Sequence, residues 1–282
     1  MKMKTIIYTL ILSCISTIFF ACEEVIDVDL EQGETLLVVD GKITNENKQH
    51  IIRLTTTAPY FDSNATPAVN GAVVTLNVYD ANNILVDSDS LQEIGTSGNY
   101  ATKTFSGNID HKYVITIKAM NEEYQAESIL RRIPPIDSIT YKYKEAEGPF
   151  EAGYFIYYNG IEYEGLGDHY LFRVSRNGKE YSRPNQLYFA SDELVDGNYI
   201  GDLDMTPEPF ELGDTIFVQS FSMNADQYKF YLELSTQVNN GGIFASPPAN
   251  VRTNIKNINP KGKKAVGYFS ANGTEKRTIL IQ

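Results

Sequence analysis

The chain has 282 residues, 42% hydrophobic and 21% charged, with 24 basic against 36 acidic residues and a formal net charge of −12. That is enough material for one large core or two modest ones, and its acidic surface repels phosphate backbones, which excludes nucleic acid as a partner. Cysteine occurs only at Cys14 and Cys22, so there is neither a disulfide framework nor a thiolate zinc site.

Met1-Lys-Met-Lys4 is a positive n-region, and Ile6 to Phe20 is a mostly apolar run that ends at Ala21. It is shorter than the ~20 apolar residues of a spanning helix and ends in a small residue, as a cleaved signal peptide does. The residue after Ala21 is Cys22, and this boundary resembles the lipobox of bacterial lipoproteins, whose cysteine thiolate takes up a diacylglyceryl group. Cys22 is the expected lipidation site, and two or three acyl chains anchor a protein stably where one does not. Residues 1–21 are then a lipoprotein signal peptide and 22–34 an acidic tether. Glu23-Glu24 resembles the export signal of surface lipoproteins in the Bacteroidetes, or is simply a solvated acidic stretch.

Residues 35–133 carry seven expected strands, Thr35–Ile43, His50–Thr57, Ala72–Asp80, Asn83–Ser90, Gly98–Phe105, His111–Ala119 and Glu122–Ile129. In two of them Val74, Leu76 and Val78, and Tyr113, Ile115 and Ile117, alternate with polar neighbours, the period of two of half-buried strands. Seven such strands indicate an antiparallel sandwich of immunoglobulin or transthyretin-like type. Pro134-Pro135 cannot donate ladder hydrogen bonds and marks a domain boundary near residue 133.

Residues 134–282 are expected to form a strand-rich α+β domain, so that the whole is mainly β. Its expected strands are Ile136–Lys144, Tyr154–Glu164, His169–Arg176, Asp214–Ser222 and Ala265–Ala271. Asn177-Gly178 predicts a tight turn after His169–Arg176. One main helix is expected near 225–239, capped by Asn224, ended by Gly241 or Gly242, and packing Tyr231, Leu234 and Val238 against a sheet.

Residues able to carry chemistry are few. His50, His111 and His169 lack metal-ligand spacing, and "GLGDHY" at Gly165 is an incomplete dinucleotide fingerprint. Glu162 and Glu164 would share a strand face about 6.6 Å apart, near the separation glycosidases use, though like charges on a strand commonly just face water. Asp196, Asn198, Asp202 and Asp204 form an oxygen-rich stretch of the kind that holds calcium, without EF-hand spacing. Tyr154 to Tyr158 offers stacking faces for sugars, or core in a chain without tryptophan. Asp89-Ser90-Leu91, Asp137-Ser138-Ile139 and Asp214-Thr215-Ile216 resemble an Asp-Ser/Thr-apolar O-glycosylation acceptor. No catalytic residue, metal or cofactor is expected from these patterns.

In order along the chain, "CEEVIDVDL", "LLVVDGKITNE", "IRLTTTAPYFD", "GAVVTL", "PPIDSI", "YKFYLEL", "GGIFASPPANVRTNI" and "VGYFSA" together resemble the Bacteroidetes lipoprotein family known as domain of unknown function 4249. The resemblance implies a lipid-anchored outer-membrane protein, with cell-surface exposure plausible, whose partner is a TonB-dependent outer-membrane transporter. It carries over no catalytic residue and only Cys22 as a functional position. The expected function is therefore non-enzymatic binding beside a transporter; the alternatives are a surface hydrolase of glycans or peptides using Asp/Glu residues, or an adhesin or matrix component.

Overall fold

A computed structural model of the protein describes residues 33–59, 64–149, 151–182, 186–240 and 249–282. The expected signal peptide, Cys22 and nearly all of the 22–34 tether lie outside these residues, as do Gly241 and Gly242. The chain is mainly β, with several sheets and, among the described residues, one helix. None of the described helical residues forms a segment long and apolar enough to cross a membrane.

Alternation sets the first strands. In β1 (Leu37–Thr44) Leu37, Val39, Gly41 and Ile43 turn inward while Val38, Asp40 and Lys42 turn to the other side. β1 pairs antiparallel with β2 (Ile51–Thr56), which pairs with β6 (Asn99–Ala101), itself paired with β5 (Gln92–Ile94). A second sheet joins β3 (Val73–Tyr79), β4 (Leu85–Ser90), β7 (Lys112–Ala119) and β8 (Glu122–Ile129) in the order β8-β7-β3-β4. Leu37, Val39, Ile52, Leu54 and Tyr100 from the first sheet and Val74, Leu76, Ile115, Ile117 and Tyr124 from the second share one buried cluster.

The seven strands expected before residue 133 thus appear, with short β5 as an eighth. They do not complete their own sheets. β17 (Ala265–Asn272) lies parallel to β1 along its whole length, and β16 (Lys256–Asn257) pairs with β8, so each sheet has five strands and takes one from the last thirty residues. Ile255, Phe269 and Ala271 enter the same cluster.

A second buried cluster begins at Ile133, three residues after Leu130 of the first. It lies between a three-stranded sheet, β9 (Ser138–Lys144), β10 (Gly153–Ile161) and β14 (Tyr199–Asp204), and a sheet built on β11 (His169–Arg176) and β15 (Thr215–Met223). β12 (Lys179–Glu180) and β13 (Tyr188–Ser191) pair with β11, and β18 (Thr274–Leu280) pairs with β15. Ile139, Ile156 and Tyr158 face Tyr170, Phe172, Val174, Ile216 and Val218. The β11–β12 turn is the expected one: Asn177 and Gly178 take φ of 51° and 81°.

Helix α1 (Ala225–Val238) is capped as its sequence predicts, Asn224 Oδ1 accepting from the Gln227 amide at 2.8 Å. Its packing face agrees with the expected one at Tyr231 and departs from it at Val238. Tyr228 and Tyr231 lie on Leu171, Phe221 and Met223, and Gln227 is its buried residue, whereas Val238 is 46% exposed. The polar Gln227 is drawn inward because its side-chain oxygen accepts from Asn272 Nδ2 at 2.8 Å.

Candidate functional site

Three chain segments meet beyond the ends of β10, β11 and β13. β10 stops at Ile161, so Glu162 and Glu164 are not the same-face strand pair expected from their spacing: Glu162 is buried and Glu164 exposed. Glu162 instead faces Asp168 and Asp192, with one carboxylate oxygen of each lying within 4.8 Å of the others. Asp168 and Asp192 come together because His169 pairs with Ser191 in the β11–β13 ladder, which puts their neighbours side by side.

Each acid has a defined partner. Asp192 Oδ2 accepts from the amides of Gly167 at 2.8 Å and Asp168 at 2.9 Å. Asp168 Oδ2 accepts from Arg132 Nε at 2.9 Å, and Arg132 also donates to the carbonyls of Glu164 and Gly165 and lies 5.1 Å from the Tyr163 ring centroid. The Tyr170 hydroxyl donates to Glu162 Oε1. Burial pushes the Glu162 carboxyl above its usual range, against the stabilising Tyr170 hydrogen bond, with Asp168 and Asp192 adding to the rise. Burial and the same carboxylate push the Tyr170 phenol up.

Three carboxylates at this separation have the donor chemistry of a hard divalent cation site. Here the chain itself supplies one guanidinium, one phenol and two amides to them, and the raised Glu162 acid takes up a proton more readily than an ordinary glutamate. The arrangement ties Arg132, at the junction between the two core clusters, to the β10–β11 and β13–β14 connections.

The other candidate residues disperse. Asp196 accepts from the Gly165 amide at 2.7 Å ahead of β14, while on β14 Asp202 pairs with Lys142 at 2.6 Å and Asp204 with Lys144 at 3.3 Å, so the carboxylates of the oxygen-rich stretch are engaged separately. Tyr158 packs in the second core, while Phe155 and Tyr157 lie beneath Lys144 and Lys142, which cover the ring faces a sugar would stack on. His50 is buried, with Nδ1 accepting from the Thr44 amide and Nε2 facing the Phe105 carbonyl at 3.2 Å, while His169 packs against Tyr228. Ser90 and Thr215 of the acceptor-like tripeptides are exposed, and Ser138 is half-buried. Arg132, Asp168, Tyr170 and Asp192 carry no sequence signal of their own; only the register of β11 on β13 unites them.

A mainly β chain of several sheets with, among the described residues, one helix and a largely buried acid cluster is the class these features define. The chain belongs to the family described as Domain of unknown function (DUF4249), whose profile matches residues 23–278. No curated protein matches it. Among solved structures it is similar to one described as "Biofilm associated protein - BSP domain", at 15% identity and a TM-score of 0.21, over 67% of this chain and 27% of that one. The chain therefore spans about a quarter of that protein's length.

Proposed function

We propose that the protein is a lipoprotein anchored through acylated Cys22 to the outer membrane, facing the cell surface, and that it serves as a non-enzymatic binding partner of a TonB-dependent transporter. The observation that carries this reading is the Ala21-Cys22 boundary, where a basic and then apolar leader meets an acidic stretch, with the family match beginning at the next residue, 23. Only cysteine offers the thiolate that lipid transfer needs.

The two N-terminal sheets serve, in this reading, as an immunoglobulin or transthyretin-like scaffold whose loops present the contact surface. A binding role accords with an acid cluster whose carboxylates are engaged by Arg132, Tyr170 and backbone amides of the same chain. Fractionation of a Cys22→Ser variant, together with co-purification of the native protein in mild detergent, tests the proposal. Release of the variant from membranes and recovery of a stoichiometric receptor with the native protein are expected; a variant that stays in the membrane fraction, or a native protein recovered alone, contradicts it.

A further inference from the structure

A lysine-rich loop, a two-residue turn and the entry of the chain into its first strand meet at one end of the two N-terminal sheets. β1 and β17 are parallel, so Leu37 lies beside Ala265, the residue that follows Lys263-Lys264. The β16–β17 loop, 258–264, is tied to the β7–β8 turn. The Ile258 amide donates to the Glu123 carbonyl at 2.8 Å, and Glu122 accepts from the Lys263 amide at 3.1 Å and from Asn257 Nδ2 at 3.0 Å. Asn257 Nδ2 also donates to the Lys263 carbonyl at 2.8 Å, which closes the loop on itself. Lys261, Lys263 and Lys264 are all exposed there, and among the described residues neither Lys261 nor Lys264 has a carboxylate partner.

Lys118 adds a further cation, opposite Val73 in the β3–β7 ladder and 3.7 Å from Glu123, with both side chains of that ion pair exposed to water. Between these lysines the chain exposes apolar groups: Met120 is 37% exposed and Ile258 52%. Met120 and Asn121 form the turn between paired Ala119 and Glu122, with φ of 54° and 62°. Positive φ at both centres of such a turn favours Asn, Asp or Gly, so a methionine there carries strain that an asparagine would relieve. An aliphatic side chain kept at a strained, water-facing tip beside exposed lysines is the pattern of a surface that meets lipid head groups. The cations face phosphate oxygens, and the apolar tips enter the boundary of the acyl layer.

We propose that this end of the protein docks onto a bilayer with anionic head groups, through Lys118, Lys261, Lys263 and Lys264 on phosphates and through Met120 and Ile258 at the head-group boundary. The inference rests on the Cys22 anchor proposed above. Residues 22–34 span at most about 45 Å when extended, and they join the chain at the end that carries the lysines. The net charge of −12 does not prevent docking, because the Debye length at physiological salt is about 8 Å and acids elsewhere on the surface are screened. The acids within 22–34 oppose the attraction, so docking orients a chain that is already anchored and does not replace the anchor.

The test uses the mature chain, residues 22–282, in which Cys22 is the one thiol. It is coupled through that thiol to maleimide-headgroup lipid, which supplies the attachment whether or not cells acylate the cysteine. Amide hydrogen exchange is followed on vesicles of phosphatidylcholine alone and on vesicles with added phosphatidylglycerol. Exchange across 118–123 and 258–264 is expected to slow at least about fivefold on the anionic vesicles relative to the neutral ones, the factor one lysine contributes at such a surface. The exposed Asn177-Gly178 turn is expected to exchange equally on both. The double variant Lys261→Glu, Lys264→Glu is expected to lose the protection, and Met120→Asn to weaken it while melting no lower than the unsubstituted chain. Equal exchange on the two kinds of vesicle, or protection unchanged in either variant, overturns the proposal. Failure of the anchor reading is a separate result, namely the absence of lipid on Cys22 in protein taken from cells.

Discussion

Tyr170 donates its hydroxyl hydrogen to the buried carboxylate of Glu162, joining the start of β11 to the end of β10 within the acid cluster. Hydrogen bonds to charged groups contribute about 1.5–3 kcal/mol, and Tyr170→Phe is expected to cost that much at neutral pH by urea denaturation. The pH sign follows from Glu162, whose folded-state pKa lies above its ordinary value. The native state holds the extra proton between those two values, so this residue's contribution is full below the ordinary glutamate range and is lost as pH rises through the folded value. Glu162→Gln, which keeps an oxygen acceptor for Tyr170, is expected to flatten that decline and to raise stability above pH 7 relative to the unsubstituted chain.

His50 acts in the opposite sense. It is 1% exposed, and burial above all pushes its imidazole down to about 4 against the Phe105 carbonyl bond that favours the charged form. Nδ1 accepts from the Thr44 amide, so the neutral ring with the proton on Nε2 fits the site. The unfolded chain protonates this group near its ordinary value of 6.5, so its contribution is full above that value and is lost as pH falls toward 4, a total on the order of 3 kcal/mol. An NMR titration is expected to show the His50 ring unprotonated at pH 5.5.

Gly267 shows how closely β17 approaches β1. It takes φ of 92°, and a Cβ added there would stand 2.0 Å from the Val39 carbonyl oxygen. Backbone cannot yield as a side chain does, and Gly267→Ala is expected to cost at least about 4 kcal/mol or to prevent folding. Gly71 supplies the control: φ is 71° and nothing lies within 4 Å of its added Cβ, so Gly71→Ala carries only the backbone strain of about 1–2 kcal/mol. Thermal melts of the two variants measure the difference.

The same pairing bears on how much chain is needed to fold. A fragment of residues 35–133 lacks β16 and β17, leaving one edge of β1 without its parallel partner and removing Ile255, Phe269 and Ala271 from the buried cluster. That fragment is expected to be unfolded by amide-proton dispersion, while residues 35–282 fold; a well-dispersed spectrum from the fragment would contradict this.

Strands with clean alternation are legible in the amino-acid sequence alone. Val74, Leu76 and Val78, and Tyr113, Ile115 and Ile117, are all buried where their period of two places them. β14 and β18 are not legible in this way. Tyr199–Asp204 has five exposed residues out of six, and Thr274–Leu280 opens with Glu275-Lys276-Arg277 after its first residue, so neither shows an inward apolar row. β14 lies at a sheet edge, where charge is favoured over burial and a strand reads as a polar loop. The acid cluster is half legible: Glu162 stands out, but its near neighbour in sequence, Glu164, is not its partner. Asp168 and Asp192 require long-range register, which local pattern does not contain.

Attachment of lipid to Cys22 is the claim on which location and partnership rest. Growth with radiolabelled palmitate, followed by affinity purification and intact-mass measurement, tests it directly. Incorporated label, with a mass matching a chain that starts at residue 22 and carries a diacylglyceryl group, is expected. An unlabelled protein that retains residues 1–21, or begins at an unmodified residue 22, would contradict it.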